Sequence, residues 1–339
     1  EDVVGLPVPI SLTAGAFPEI DSIAADGRDV LFFDDPGNAL PYERQIYVDG
    51  SSAVFNVRVP RFNPRVGGDA VWMYFGSADG VERSNAAAAF PDYASVWHLD
   101  SSTTIADART GGTPANSIGF GGIDISPTTG FLGGGINFVG VNGADGESFA
   151  FLQPFNGNNG ALVTPPSPPP SSAASYSLIA NPRSFSTGGQ NGEFTLMLSD
   201  LGTPASPCVD GVSICSLFFN DGSFQVFVPN SNGVGLITSG AGVVPLNQFK
   251  HESLSWSSSG IQATFDGRTV IDSSVTVNAG FAVGNIVLGM AEQDGNGPFN
   301  GVIDEVRISN VPRAASFYRA ESKAFAGLLL QRSAVEAGP

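Results

Sequence analysis

Gly301-Val302-Ile303-Asp304-Glu305-Val306-Arg307-Ile308-Ser309-Asn310 is the stretch whose reading decides the fold. Apolar and polar residues alternate along it, as on a strand with one face on a core. The alternation predicts Val302, Val306 and Ile308 inward, with Glu305 and Arg307 toward water. Neighbouring side chains on a strand leave by opposite faces, so Asp304 and Glu305 are expected to diverge.

The rest of the chain has the composition that such a strand requires. It has 339 residues, enough for two domains, with 43 Gly, 24 Pro, 25 Phe and only 14% charged residues. That balance favours turn-rich all-β architecture over helical bundles. The net charge of −17 repels a phosphate backbone, and no basic patch offsets it, so nucleic acid is not an expected partner. No stretch is long and apolar enough to predict a membrane span. The sequence begins at Glu1 without Met, and the expectation is that a leader has been removed.

Cys208 and Cys215 are the only cysteines. The residues between them can turn back as a hairpin. A disulfide there would stabilise by roughly 2.5 kcal/mol on the chain-entropy model. Their spacing suits zinc poorly without further ligands, so the pair is read as a disulfide and implies an oxidising compartment.

Strand patterns run through the first hundred residues: Val8 to Leu12, Asp29 to Phe33, and Ala53 to Val59 with Phe55, Val57 and Val59 on one face. Val71 to Phe75 reads as a buried strand closed by Gly76. Asp34-Asp35-Pro36-Gly37 reads as a turn. Further on, Asp221-Gly222 and Asp266-Gly267 are placed for tight type I′ turns. Phe224, Val226 and Val228 alternate after the first, and Ile261, Ala263 and Phe265 before the second. Pro312 opens a predicted helix with Phe317, Ala320 and Ala324 on one face and Gly327 at its end. The helix and the Leu328-Leu329-Leu330 that follows it either pack on the sandwich or dock to another protein.

Two resemblances organise these elements. Ala25-Asp26-Gly27-Arg28-Asp29-Val30, Leu40-Pro41-Tyr42-Glu43, Val57-Arg58-Val59-Pro60 and Met73-Tyr74-Phe75-Gly76 resemble a bacterial domain of unknown function. That family precedes laminin-G-like domains, in secreted proteins and in envelope proteins fused to ExbB/TolQ-like proton channels. Val96-Trp97-His98-Leu99, Ile136 to Gly140, Pro245 to Trp256, Ile261 to Arg268 and the Gly301 stretch together resemble a laminin-G-like, concanavalin A-like domain. Phe249 and Phe265 stand where that family has Trp and Tyr, read as core exchanges. The expected fold is therefore all-β: a small β-sandwich over residues 1–92, a laminin-G-like jelly roll over 93–325 with a short C-terminal helix, and a tail over 326–339. The Pro-rich Thr164 to Ser172 segment is read as a loop within the second sandwich.

No nucleophile elbow, metalloprotease helix, P-loop or dinucleotide motif stands in a suitable context. His98 and His251 sit in apolar strand patterns and are read as structural. Adjacent Asp304 and Glu305 cannot flank one glycosidic bond if their carboxylates diverge. The chain is therefore read as non-catalytic, with a glycosidase as the least favoured alternative. The laminin-G-like resemblance implies a calcium site built from Asp107 and Asp304, although Arg109 replaces a small polar residue in the first loop. Asp294-Gly295-Asn296-Gly297 is a second oxygen-rich loop. Tyr93, Phe120, Phe131 and Phe299 lie beside glycine-rich turns and are the expected exposed aromatics for ligand contact. Two readings of use stay open. One is an exported bacterial binding module for a glycan or an envelope or surface protein, periplasmic or at the cell surface. The other is a structural subunit of an envelope, membrane-associated or filamentous assembly, motivated by the apolar ends.

Overall fold

A computed structural model describes residues 2–63, 70–76, 80–100, 106–109, 117–119, 126–139, 148–151, 155–156, 161–162, 173–185, 192–199, 213–231, 233–279, 281, 283, 285–289, 299–331, 333 and 335. Two compact units divide the chain: residues 1–89 with 316–339, and residues 90–315. The architecture is all-β, with one short C-terminal helix of eleven residues.

The first unit holds β1 (Val3–Thr13), β2 (Leu31–Asp34), β3 (Tyr42–Val48), β4 (Ser52–Phe62), β5 (Val71–Tyr74) and the single turn α1 (Ala86–Ala89). β4 lies between β1 and β3 in an antiparallel sheet, and β2 pairs with β5. Phe55 and Val57 face a core with Phe32, Tyr42 and Ile20, as the alternation predicts. The turn after β2 forms where Asp34-Asp35-Pro36-Gly37 places it, closed by the Gly37 N–H donating to the Asp34 carbonyl at 2.9 Å. β5 departs from its reading. Trp72 and Tyr74 are exposed, and only Val71 and Met73 pack on the core.

The second unit holds β6 (Tyr93–Trp97), β7 (Ser117–Gly119), β8 (Ser126–Thr129), β9 (Gly134–Phe138), β10 (Ser148–Phe151), β11 (Phe155–Asn156), β12 (Ala161–Leu162), β13 (Ala174–Pro182), β14 (Gly192–Ser199), β15 (Ser213–Phe219), β16 (Phe224–Asn230), β17 (Gly233–Thr238), β18 (Lys250–Ser257), β19 (Gly260–Phe265), β20 (Arg268–Ser273), β21 (Asn285–Leu288) and β22 (Gly301–Ser309). One sheet runs β17-β16-β15-β14-β21-β10-β7 and the other β20-β19-β18-β13-β22-β9-β8, with β6 also on β22. Their inner faces share one core that includes Phe218, Phe224 and Leu288 from the first sheet and Trp256, Phe265 and Ile303 from the second. Phe265 is thus the core exchange expected of it. Asp266 and Gly267 both take positive φ, 48° and 70°, as a type I′ turn requires. At Asp221-Gly222 only the glycine does, at 74°, so that turn is of another type. The Pro-rich segment from Thr164 to Ser172 and the Asp294 to Gly297 loop lie outside the described residues.

The closing strand corrects its own alternation. All nine residues of β22 are buried, Glu305 and Arg307 included. The core side chains are Ile303, Val306 and Ile308, not Val302. The reason is a β-bulge. Between the pairs Ile179–Asp304 and Ser177–Arg307, β22 has two residues where β13 has one. Glu305 takes φ +52° there, and the extra residue shifts the inward positions by one.

The helix α2 (Ala315–Phe325) also differs from its expected place. Phe317, Ala320 and Ala324 share a buried face as predicted, and Gly327 at φ +69° ends it. That face packs on Val3, Leu6 and Val8 of β1 with Val59 and Phe62 of β4. The chain therefore returns to its first unit after residue 315, where the sequence reading kept residues up to 325 in the second.

Candidate functional site

The bulge places Asp304 on the outer face of its sheet, beside Ile179, which lies outside the shared core. Its Oδ2 accepts the backbone N–H groups of Phe131 at 2.7 Å and Leu132 at 3.0 Å. These residues belong to the turn between β8 and β9. The turn tolerates only glycine at two corners. A Cβ on Gly130 would lie 1.9 Å from the Gly134 carbonyl oxygen, and one on Gly134 would lie 2.6 Å from Asp100 Cα. Asp100 Oδ1 also accepts the Gly134 N–H at 3.1 Å.

Anchored in this way, the turn lies over β22 and reaches past β13. The Phe131 ring meets Phe249, just before β18, edge-on at 5.8 Å between centroids. Phe131 is 37% exposed and Phe249 is half-buried, so Phe249 is not the core exchange expected from the sequence. Beside them, the outer row Asn181–Val302–Asn137–Ser126 crosses β13, β22, β9 and β8 in register. Asn137 Nδ2 donates to Ser126 Oγ at 3.2 Å, and Arg183 Nη2 donates to Asn137 Oδ1. Two buried acceptors here, Asn181 Oδ1 and Asp304 Oδ1, have no hydrogen-bond partner. Two residues apart on paired strands, they are diagonal neighbours at about 7–8 Å. The site thus offers a ring pair, half-buried amides and an exposed guanidinium.

The other expected aromatics do not join it. Tyr93 and Phe299 are 3% and 0% exposed. Phe299 packs on Phe138 and Phe218, and Tyr93 meets Phe90 edge-on, so both are packing residues. Glycine-rich turns suggested exposure, but these rings point back under the sheet ends. Phe120 lies outside the described residues. Asn137, Asn181 and Arg183 were missed; the parity of Asn137 and Asn181 against the core residues Ile136 and Ala180 was the available signal.

The carboxylates are committed to structure. Glu305 accepts a hydrogen bond from His98 Nδ1 at 2.8 Å and one from Arg307 Nη2 at 3.0 Å. The Arg307 guanidinium stacks on Phe90 at 5.3 Å. His98 lies just past the end of β6, and His251 is on β18. The bulge cancels the simple opposite-face argument, yet Asp304 and Glu305 still engage different partners. Burial, then the charge of Glu305, pushes the Asp304 carboxyl well above the usual carboxylate range. Glu252, on the inner face of β18, stands between the sheets. Tyr176 Oη donates to it at 2.7 Å, and Thr195 Oγ1 lies within 3.1 Å of both its oxygens. Burial raises its pKa to about 7. Glu193 is raised to about 8, also by burial.

The calcium site implied by the sequence resemblance does not fit the described residues. Calcium takes six to eight oxygens. Asp107 Oδ1 is occupied by the N–H groups of Val96 and Arg109, at 3.2 and 3.0 Å. Asp304 offers one free oxygen, and among the described residues no three His, Cys, Asp or Glu side chains form a metal-holding group. Cys215 is buried on β15, while Cys208 lies outside the described residues. Among the described residues no helix is long and apolar enough to cross a membrane.

With this geometry in place, the comparisons sharpen the class. Residues 26–102 match the family model for a domain of unknown function (DUF2341), and residues 156–316 match that of the concanavalin A-like lectin/glucanases superfamily. The chain therefore carries the first domain type followed by a concanavalin A-like β-sandwich. None of the curated proteins matches it. Among solved structures, it is similar to domain 4 of AbnA, a GH43 extracellular arabinanase from Geobacillus stearothermophilus, in complex with arabinotriose. Identity is 16% and the TM-score 0.47, over 68% of this chain and 98% of the other. It is also similar to the binding domain of botulinum neurotoxin DC in complex with SialylT, at 11% identity and TM-score 0.47 over 69% and 51%. A third is the Ruminococcus gnavus IT-sialidase CBM40 bound to alpha2,3 sialyllactose, at 12% and 0.37 over 45% and 83%. The chain spans about half the length of the toxin domain it matches.

Proposed function

We propose that the second unit is a non-catalytic glycan-binding module of an exported bacterial envelope or surface protein. The observation that carries this reading is the Phe131–Phe249 pair beside the Asn181–Asn137 row and Arg183. An exposed ring stacks on the apolar face of a sugar, while amides and a guanidinium meet its hydroxyls. The superfamily description, which names lectins, supports a sugar as the ligand class. The non-catalytic reading is supported by the fate of the carboxyls: Glu193, Glu252, Asp304 and Glu305 are all at most 2% exposed.

A glycan array probed with the whole chain tests this. Binding is expected, and Phe131→Ala should weaken it about tenfold, as a lost ring contact of roughly 1.5 kcal/mol implies. Absence of glycan binding, together with a stable assembly in light scattering, would replace this reading with the structural-subunit one.

A further inference from the structure

The first unit carries a surface of its own, independent of the glycan reading. β5 pairs with β2 in a register that sets Trp72 opposite Phe33 and Tyr74 opposite Leu31, so these four side chains share one face. Trp72 and Tyr74 are 43% and 51% exposed. Phe33 meets Tyr74 edge-on at 5.4 Å, which stiffens the face. The opposite face, with Phe32 and Met73, is packed on the unit's core. Among the described residues, no strand pairs with the far edge of β5.

The Asp35 carboxylate borders the Trp72 ring, while Asp34 is in register with Val71 on the face shared with Phe32. Asp35 Oδ1 accepts the Trp72 indole N–H at 2.9 Å, and its Oδ2 accepts the Ala70 N–H at 3.0 Å. Asp34 accepts from the Asn38 N–H at 2.6 Å and from Asn38 Nδ2 at 3.0 Å. All four donors are neutral, so none of them offsets the carboxylates' charge. An indole held by a carboxylate also presents a more electron-rich ring.

We propose that β5 is the docking edge for an extended, Lys- or Arg-bearing peptide segment of a partner protein. Three features converge on that occupant. An edge to which no described strand pairs offers backbone hydrogen bonds to an added strand. Two rings on alternate residues repeat every ~6.8 Å, the spacing of same-side side chains on an extended peptide. A cation over these rings gains from the ring face and from the Asp35 carboxylate together. A neutral sugar would use the rings and leave both the charge and the edge unused.

The probe is a capped peptide of alternating lysine and threonine, with alternating glutamate and threonine as control, titrated into the whole chain. Of the three tryptophans, Trp97 and Trp256 are 3% and 1% exposed, so a surface probe is reported by Trp72 fluorescence. The lysine peptide should give saturable binding that weakens as salt is raised. The glutamate peptide should give none. Tyr74→Ser and Asp35→Asn should each weaken binding about two- to fivefold, the range expected of one exposed cation–π contact or ion pair. Asp35→Asn, at a turn, serves if Tyr74→Ser fails to fold. Absent binding, equal binding of both peptides, or insensitivity to both variants would overturn the proposal. So would protection of Trp72 by an oligosaccharide or by self-association instead.

Discussion

Glu252 shows what a single carboxyl does when a strand delivers it between two sheets. It shares an inner row of β18 with Leu254 and Trp256, and its partners Tyr176 and Thr195 come from opposite sheets. Burial lifts its pKa from 4.5 to about 7, outweighing the hydroxyl donors that lower it. The folded state therefore holds a proton that the unfolded state releases, and stability falls as pH rises from about 4.5 through 7. The full difference is of order 3 kcal/mol for this group. Glu193, raised to about 8, adds a loss of the same sign. Glu252→Gln should flatten the decline without removing it, measured by urea midpoints at pH 5 and pH 8. An unchanged slope would show that Glu252 does not titrate in that window. Its parity with Leu254 and Trp256 was a signal the sequence reading did not use, and it carries no hint of the partners. The disulfide expectation is a residue-scale prediction too: intact mass should fall by about 2 Da relative to the reduced chain.

At the scale of elements, the closing strand and the turn it anchors decide what the second unit can present. The strand was legible because its alternation is strong over ten residues. The bulge was not, because one extra residue with a left-handed backbone leaves no mark in an apolar–polar pattern. That single residue moves the inward position before it from Val302 to Ile303, while Val306 and Ile308 keep theirs. It also explains why the site was only half visible. Phe131 was found from its glycine-rich turn, but the Asp304 carboxyl that holds the turn was assigned to calcium. Phe249 was assigned to the core, because its pairing with Phe131 is a long-range contact that spacing does not reveal. Gly130 tests this arrangement. An alanine there sets a Cβ against the Gly134 carbonyl oxygen, an unyielding backbone atom. Gly130→Ala should cost about 1–3 kcal/mol in urea denaturation, as overpacking does. It should also weaken glycan binding, since the turn can no longer carry Phe131 over the sheet. Full stability with reduced binding would mean that the turn reorganises alone. Full stability with full binding would remove the turn from the site.

For the molecule as a whole, composition and turn chemistry made the all-β class legible, and the order of weak strand motifs, through the family resemblance, made the second fold legible. What the sequence did not disclose was the return of the chain. Phe317, Ala320 and Ala324 form an apolar face that fits any sheet of suitable shape, so periodicity locates the helix and not its partner. The structure supplies the partner: Val3, Leu6 and Val8 of β1, at the other end of the chain. The first unit is therefore closed by residues that follow the second in sequence, and its stability depends on both ends. Phe317 is 5% exposed at the centre of that contact. Phe317→Ala should cost about 3 kcal/mol, the lower range for a buried aromatic truncation. The loss should fall on one unit only. Amide hydrogen exchange should show β1 and β4 losing protection while β13 and β22 keep theirs. Loss of protection in β22 with β1 unchanged would instead assign the helix to the second unit. Equal loss in both would mean that the two units unfold as one cooperative body, and a scanning calorimetry trace would then show a single transition in place of two.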